Sequence, residues 1–484
     1  MESTGAKMTE KRRQVRSWSA PRGDKRSMSI RHLPGFRLAS HRPGRQVLGW
    51  ALAATWLATG AWAQTPATNT PLTPQKATAT NNHLLSIDQV LQAAGQNLDV
   101  AAVRRNYEAA QADILAADHA PLPVLSAKAG SMDLNHGLGA GSLWQQKRID
   151  KGVGLDWTWE RGNKRSLRTQ TSRQNAQAAQ ADWQDAITAQ RVLALQAFYD
   201  WLAMHLRLEE MQGLAASAHA LAQAAQRRLQ AGDVSAQDAA RTDIEAARAQ
   251  ADVRQAELDR QRAALALAPL IAWPGQPLQW RPRTEWPAVA GQAEAVEQAQ
   301  ARLDDLVEQR PDVRAARERA QATQSALQLA RAQQTTDITW GGTVDHYPND
   351  TGTVTRQMEL RLQMPLQWGY RYEGEIGRAS ALQGQSQDLL ERARLGARAE
   401  LQGLLQAWDA ARDRLQTYER DILPRAQRVA QQAEVAYTQG ALTLTDLLDA
   451  RRTLRATRLE AIAAQAEFAK AQGTWQIRTT SVNP

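Results

Sequence analysis

The sequence predicts a mainly α fold with a small β part: duplicated long α-hairpins carrying four short strands per chain. Three observations predict it. A glycine-centred turn occurs twice, each time after a long Ala/Gln-rich stretch. The first copy is Arg227-Arg228-Leu229-Gln230-Ala231-Gly232, then Ser235 and Asp238; the second is Tyr437-Thr438-Gln439-Gly440, then Thr443, Asp446 and Asp449. Gly232 aligns with Gly440, and Asp238 with Asp446, at one common offset. Upstream, Asp99-Val100 with Ala102, Arg104, Ala109, Gln111 and Ala117 matches Asp312-Val313 with Ala315, Arg317, Ala322, Gln324 and Ala330, again at a fixed offset. Between these helical stretches the apolar residues alternate with period two, the pattern of half-buried strands. A duplicated pair of very long hairpins suits a tube or a strut better than an enzyme pocket.

The front of the chain, residues 1–63, reads as an export signal with a long basic n-region. Residues 1–46 hold twelve Lys/Arg and three acids, which accounts for the whole formal charge of +9. The remainder balances 47 basic against 47 acidic residues. A neutral body has no broad basic field for phosphate, so nucleic-acid binding loses its electrostatic support. Val47 to Ala58 is an uncharged apolar run, and Ala61-Trp62-Ala63 supplies small residues at a cut before Gln64. The run is short of the roughly 20 apolar residues of a spanning helix, which favours a signal over an anchor. Met28 is an alternative start, since Met28 to Ala63 has ordinary signal dimensions. There is no cysteine, hence no disulfide and no lipid-bearing Cys after the cut. Residues 64–83, rich in Thr, Pro, Ala and Asn, form an extended linker.

The first repeat spans residues 84–268. Ser86 with Gln89 three residues on is a capping box, opening a helix that runs toward Ala120 and stops at Pro121 and Pro123. Two strands follow, Val124 to Asn135 and Arg148 to Glu160, with Gly137, Gly139 and Gly141 between them. In the second, Val153, Leu155, Trp157 and Trp159 share one face. From Lys164 to Gln230 there is no Pro and only Gly213, which allows a helix on the order of 95 Å long. The chain returns as a helix from Ser235 to about Leu267. Five prolines interleaved with Trp273, Trp280 and Trp286 mark residues 269–296 as a linker between repeats. The second repeat, 297–478, has strands from Asp337 to Tyr347 and Val354 to Leu366, a long helix to Gln439 bent at Pro424, and a return from Thr445 to about Gln472. Residues 479–484 are a C-terminal tail. Four strands are too few to close a barrel alone, whereas three chains would supply twelve, so the alternating strands argue for oligomerisation.

At the level of motifs the chain resembles the TolC-like outer-membrane efflux proteins. The resemblance runs over about residues 84–478 and is carried by Arg228-Leu229-x-x-Gly232-x-x-Ser235-x-x-Asp238, by Tyr437-x-x-Gly440 through Asp446-Leu447-Leu448-Asp449-Ala450-Arg451, and by Ile422-Leu423-Pro424. It implies a trimer in which a twelve-stranded outer-membrane β-barrel joins a long periplasmic α-barrel. That tunnel docks on a periplasmic adaptor protein and an inner-membrane RND-type pump, while the barrel meets outer-membrane lipids. Pro365-Leu366-x-Trp368-Gly369-x-Arg371-x-Glu373-Gly374-Glu375-Ile376 looks like the strand-to-helix crossing of the heavy-metal and cation branch, with Tyr372-Glu373 where that branch has Asn-Gln. That likeness leans toward heavy-metal cations as the exported substrate, with a drug or other small molecule as the alternative.

The resemblance also implies roles at the tips. Asp446 and Asp449, three apart on one helix face, would line the closed periplasmic end of the tunnel as stacked carboxylate rings. Asp238 and Tyr437 fall on gate positions. Gly232 and Gly440 shape the adaptor-docking tips, with Arg228, Leu229 and Ser235 beside them. From the residues alone the two aspartates read first as two solvated acids in an acid-rich helix, and only the match to the tip motif reverses that preference; Tyr437 reads nearly as well as a packing residue. His83, His119, His136, His205, His219 and His346 are scattered without ligand spacing. There is no P-loop, G-x-S-x-G or H-E-x-x-H, so no catalytic residue, cofactor or tightly bound metal is expected. The remaining non-transport reading is a structural periplasmic coiled-coil protein, which the hairpins fit but the alternating strands do not.

Overall fold

The computed structural model describes residues 84–130, 149–288, 292–348 and 354–480. The export signal, residues 64–83, the loop of Gly137, Gly139 and Gly141, and the last four residues of the tail lie outside the described residues.

A two-residue strand, β1 (Leu84–Leu85), leads into α1 (Ile87–Ala94). The capping box forms as expected: Gln89 N donates to Ser86 Oγ (3.4 Å) and Ser86 N to Gln89 Oε1 (3.1 Å). The expected single helix, however, is two. It breaks at Gly95 and restarts as α2 (Leu98–Ala117) with Asn97 as its cap. The cause is long-range: Asn97 Nδ2 donates to the carbonyls of Pro269 and Leu270, both at 3.0 Å. One amide thus opens one helix and closes another.

The first strand pair is β2 (Val124–Gly130) and β3 (Asp150–Trp159). It is followed by α3 (Lys164–Ala231), 68 residues without interruption, and by α4 (Ala236–Ile271). Helix α4 carries Pro269 in its last turn instead of stopping before it. The turn survives because Asn97 Nδ2 and Gln190 Nε2 (3.3 Å) satisfy its terminal carbonyls, and Ala272 ends it in the left-handed region.

The Pro/Trp-rich stretch is built into the core. After one 3-10 turn (Pro277–Gln279), β4 (Arg281–Pro282) pairs in parallel with β1. Trp280 is fully buried against the cluster of Leu85, Val90, Trp201, Leu202 and Ile271.

The second repeat begins with two short helices not foreseen, α5 (Gln292–Ala301) and α6 (Leu303–Gln309). They lead into α7 (Pro311–Ala332), whose Pro311 and Asp312 stand at its first positions. Strands β5 (Ile338–Pro348) and β6 (Val354–Gln363) precede α8 (Glu373–Thr417). The bend expected at Pro424 is a π-helical turn, Tyr418–Ile422, after which α9 (Leu423–Thr438) starts with that proline in its first turn. The wider turn absorbs the missing Pro N–H, which a straight α-helix could not. Helix α10 (Leu444–Thr479) returns past the expected end.

Each repeat has its own core. The first centres on Phe198, Trp201, Leu202 and Leu267; the second on Leu401, Trp408, Phe468 and Trp475. Helix α3 packs on α2, α4, α7 and α10, so it is the spine between the repeats. The four strands form one antiparallel sheet in the order β2-β3-β5-β6, with β2 and β6 at its edges. No helix among the described residues is long and apolar enough to cross a membrane.

Candidate functional site

The two tips are built by the same local chemistry. Helix α3 ends when Gly232 turns left-handed (φ +79°), with Gly232 N donating to Leu229 O (3.0 Å) and Asp233 N to Arg228 O (2.8 Å). Helix α9 gives way through Gly440 (φ +76°), with Gly440 N donating to Tyr437 O (3.1 Å) and Ala441 N to Ala436 O (2.8 Å). These are paired C-terminal closures that satisfy carbonyls a helix end leaves free. Each returning helix is then capped: Asp238 N donates to Ser235 Oγ (3.1 Å) and Asp446 N to Thr443 Oγ1 (3.3 Å). The capping hydroxyls donate in turn to the Asp238 (2.8 Å) and Asp446 (2.6 Å) carboxylates. Both aspartates therefore sit where a helix N-terminus favours negative charge.

Arg228, Ser235, Asp446 and Asp449 are exposed, while Leu229, Asp238 and Tyr437 are half-buried. Asp449 is not a free acid. Arg452 Nη1 lies 3.4 Å from its Oδ1, and Arg452 Nη2 reaches Glu245 Oε2 on α4 at 3.1 Å. The Glu245 carboxylate holds the Arg452 guanidinium above its ordinary pKa. Arg452 and Glu245 were missed in the sequence, where only the run of basic residues after Asp449 could have pointed to them. They begin a series by which α10 is tied to the first hairpin. Arg455 pairs with Asp252 (2.5 Å), Arg458 with Glu210 (3.1 Å), Lys470 with Asp200 (2.6 Å) and Arg478 with Asp185 (3.2 Å).

At the other end of the helices the sheet has two unlike faces. Leu125, Val153, Leu155, Trp157, Trp159, Trp340, Val344, Met358, Leu360 and Leu362 stand on one, and every one of them is about half exposed or more. The opposite face carries Ser126, Lys128, Asp156, Thr158, Thr339, Thr343, Asp345, Glu359 and Arg361. There, ion pairs step across a strand over a glycine. Lys128 Nζ reaches Asp345 Oδ1 (2.8 Å) over Gly152, and Arg361 Nη2 reaches Asp156 Oδ1 (2.6 Å) over Gly341. A Cβ at either glycine would overlap the carboxylate. An apolar outer face and a polar, internally paired face are what a barrel between lipid and water requires.

The strand-to-helix crossings also repeat. Gly162 and Asn163 precede α3 with positive φ, and Gly369 and Tyr372 precede α8 likewise. Tyr372 (φ +63°) is therefore a large residue in a conformation that Asn tolerates and most others resist.

Among the described residues no three metal-ligating side chains converge. Comparison with known proteins gives a single direction. The model of the outer membrane efflux protein family matches residues 90–272 and 302–474. The cobalt-zinc-cadmium resistance protein CzcC of Cupriavidus metallidurans is 25% identical over 302 residues, which are 62% of this chain and 70% of that protein. Among solved structures, the outer membrane protein VceC of Vibrio cholerae aligns with a TM-score of 0.65 at 17% identity, covering 82% of this chain and 96% of that one. The open state of the MtrE outer membrane channel of Neisseria gonorrhoeae aligns at 0.64 with 18% identity, covering 81% and 88%. With both repeats matched by the family model and the fold shared with these channels, the chain belongs to the outer membrane efflux protein family, a family of channels and not of enzymes.

Proposed function

We propose that this protein is the outer-membrane conduit of a tripartite efflux system, working as a homotrimer. The observation that carries the reading is the sheet: four strands, one apolar face, one polar face, and two edges, β2 and β6, with no partner strand among the described residues. An exposed apolar sheet with two open edges is an aggregation hazard unless it is closed and faces lipid. Three copies supply about twelve strands, enough for a closed barrel. The hairpins below then join into a helical tunnel reaching into the periplasm.

The tips, with Arg228, Leu229, Gly232, Ser235 and Gly440, are the surface for a periplasmic adaptor, and through it an inner-membrane RND-type pump. Asp238, Tyr437, Asp446 and Asp449 form the periplasmic gate. The substrate class favoured is heavy-metal cations, supported by the relative named for cobalt, zinc and cadmium resistance. The test is crosslinking of the detergent-purified protein, together with metal tolerance of a deletion strain. Trimers, and a deletion strain sensitive to divalent transition metals whose tolerance is restored by the intact gene, are expected. Only monomer in detergent, or fractionation to the soluble periplasm, would remove the channel reading; sensitivity to drugs alone would remove the metal.

A further inference from the structure

We propose that Lys151, His346 and Arg356 form a binding row for the phosphate groups of an anionic glycolipid in the outer leaflet of the membrane. The proposal rests on the barrel reading above, because it needs the apolar face of the sheet to meet lipid.

The row is set by register. Lys151 on β3 pairs with His346 on β5, and His346 pairs with Arg356 on β6. Adjacent strands lie about 4.8 Å apart, so three basic side chains stand within roughly 10 Å on one face. That face is the apolar one, since Lys151 alternates with Gly152 and shares its side with Val153, Leu155, Trp157 and Trp159. All four acids within the described strands, Asp150, Asp156, Asp345 and Glu359, are on the opposite face. Lys128 and Arg361 on that opposite face each have a carboxylate partner. The row has none among the described residues: Lys151 Nζ and His346 Nε2 are shielded from solvent and lack any hydrogen-bond partner. A shielded ammonium without an acceptor is costly, and an anion from outside the chain would satisfy it.

Its height identifies the occupant. Trp157, Trp159 and Trp340 mark the end of the sheet nearest the helices, the usual place of an aromatic girdle. Lys151 lies eight residues before Trp159, which is about 26 Å along the strand, or about 20 Å after the usual tilt. An outer-membrane barrel has an apolar band about 25 Å tall. The aromatic end and the basic row thus lie most of one band height apart, which brings the row beside the headgroups of the leaflet away from the periplasm. Charge on a lipid-facing strand costs several kcal/mol at mid-bilayer but about 0–1 kcal/mol at the interface, where phosphates can pair with it.

The experiment uses the full-length protein reconstituted into vesicles of zwitterionic phospholipid doped with bis-phosphorylated lipid A or with its dephosphorylated form. Flotation first reports insertion, and affinity is then read by titrating lipid A against quenching of tryptophan fluorescence. K151Q/H346Q/R356Q should bind the phosphorylated lipid about tenfold or more weakly than the wild type, and the dephosphorylated form equally. R104Q/R105Q/R262Q, with three charges removed from exposed helical positions, should bind like the wild type. Inserted protein whose affinity is the same with and without the row would overturn the proposal. So would competition by inorganic phosphate at millimolar concentration, which would make the row a site for free anion. Protein that fails to float removes the barrel reading, and this proposal with it.

Discussion

Arg452 Nη2 lies 3.1 Å from Glu245 Oε2, so the returning helix of the second hairpin is held to the returning helix of the first close to both tips. The same guanidinium neutralises Asp449, leaving Asp446 as the acid bound only within its own cap. Replacing Arg452 with Gln should leave melting within about 1 kcal/mol of the wild type, because exposed pairs contribute little. It should increase cation preference in single-channel recordings, since Asp449 and Glu245 lose their counter-charge. D446N/D449N should do the reverse and weaken block by trivalent cations. Identical selectivity in all three proteins would place these acids outside the conduction path.

A Cβ at either tip glycine would meet only open space, so the backbone angles alone restrict these positions. Gly232→Val and Gly440→Val should each cost about 1–2 kcal/mol locally, the usual penalty for a left-handed β-branched residue. The distortion is confined to the turn, so trimer yield should stay normal while export falls. Export at wild-type rates in both variants would move adaptor docking away from the tips.

Tyr372 holds a left-handed angle that its counterpart Asn163 adopts readily. Tyr372→Asn should therefore stabilise the protein by about 1 kcal/mol, visible as a higher thermal midpoint. A lower midpoint would mean that the Tyr370–Tyr372 ring contact, centroids 6.1 Å apart, outweighs the backbone cost.

Burial, helped by the nearby Asp312 carboxylate, lifts the Asp185 carboxyl above its ordinary value against the pull of Arg478. A raised carboxyl binds its proton more tightly in the folded state. Its stabilising contribution is complete below the unfolded value of about 3.9 and is lost as pH rises through the folded one. Asp185→Asn cannot ionise, so its melting temperature relative to the wild type should rise between pH 4 and pH 7. A constant difference across that window would show that Arg478 fully compensates the ionised carboxylate.

Much of this architecture was legible because it is written in short periods. The alternation of Val153, Leu155, Trp157 and Trp159 depends only on the two-residue repeat of a strand, and the ends at Gly232 and Gly440 only on the angles those residues permit. The caps at Ser86, Ser235 and Thr443 likewise act over three residues. The tertiary structure alone decided what joins distant parts of the chain. It broke the first helix at Asn97 because that amide serves carbonyls 172 and 173 positions away. It turned the Pro/Trp-rich stretch into core by burying Trp280. It matched Arg452 with Glu245 across 207 positions and set Lys151, His346 and Arg356 in one row. The physical reason is that helix and strand periods follow from bonds between near neighbours, whereas ion-pair partners and strand register follow from which faces pack, and many distant acids would satisfy the same arginine equally well by sequence.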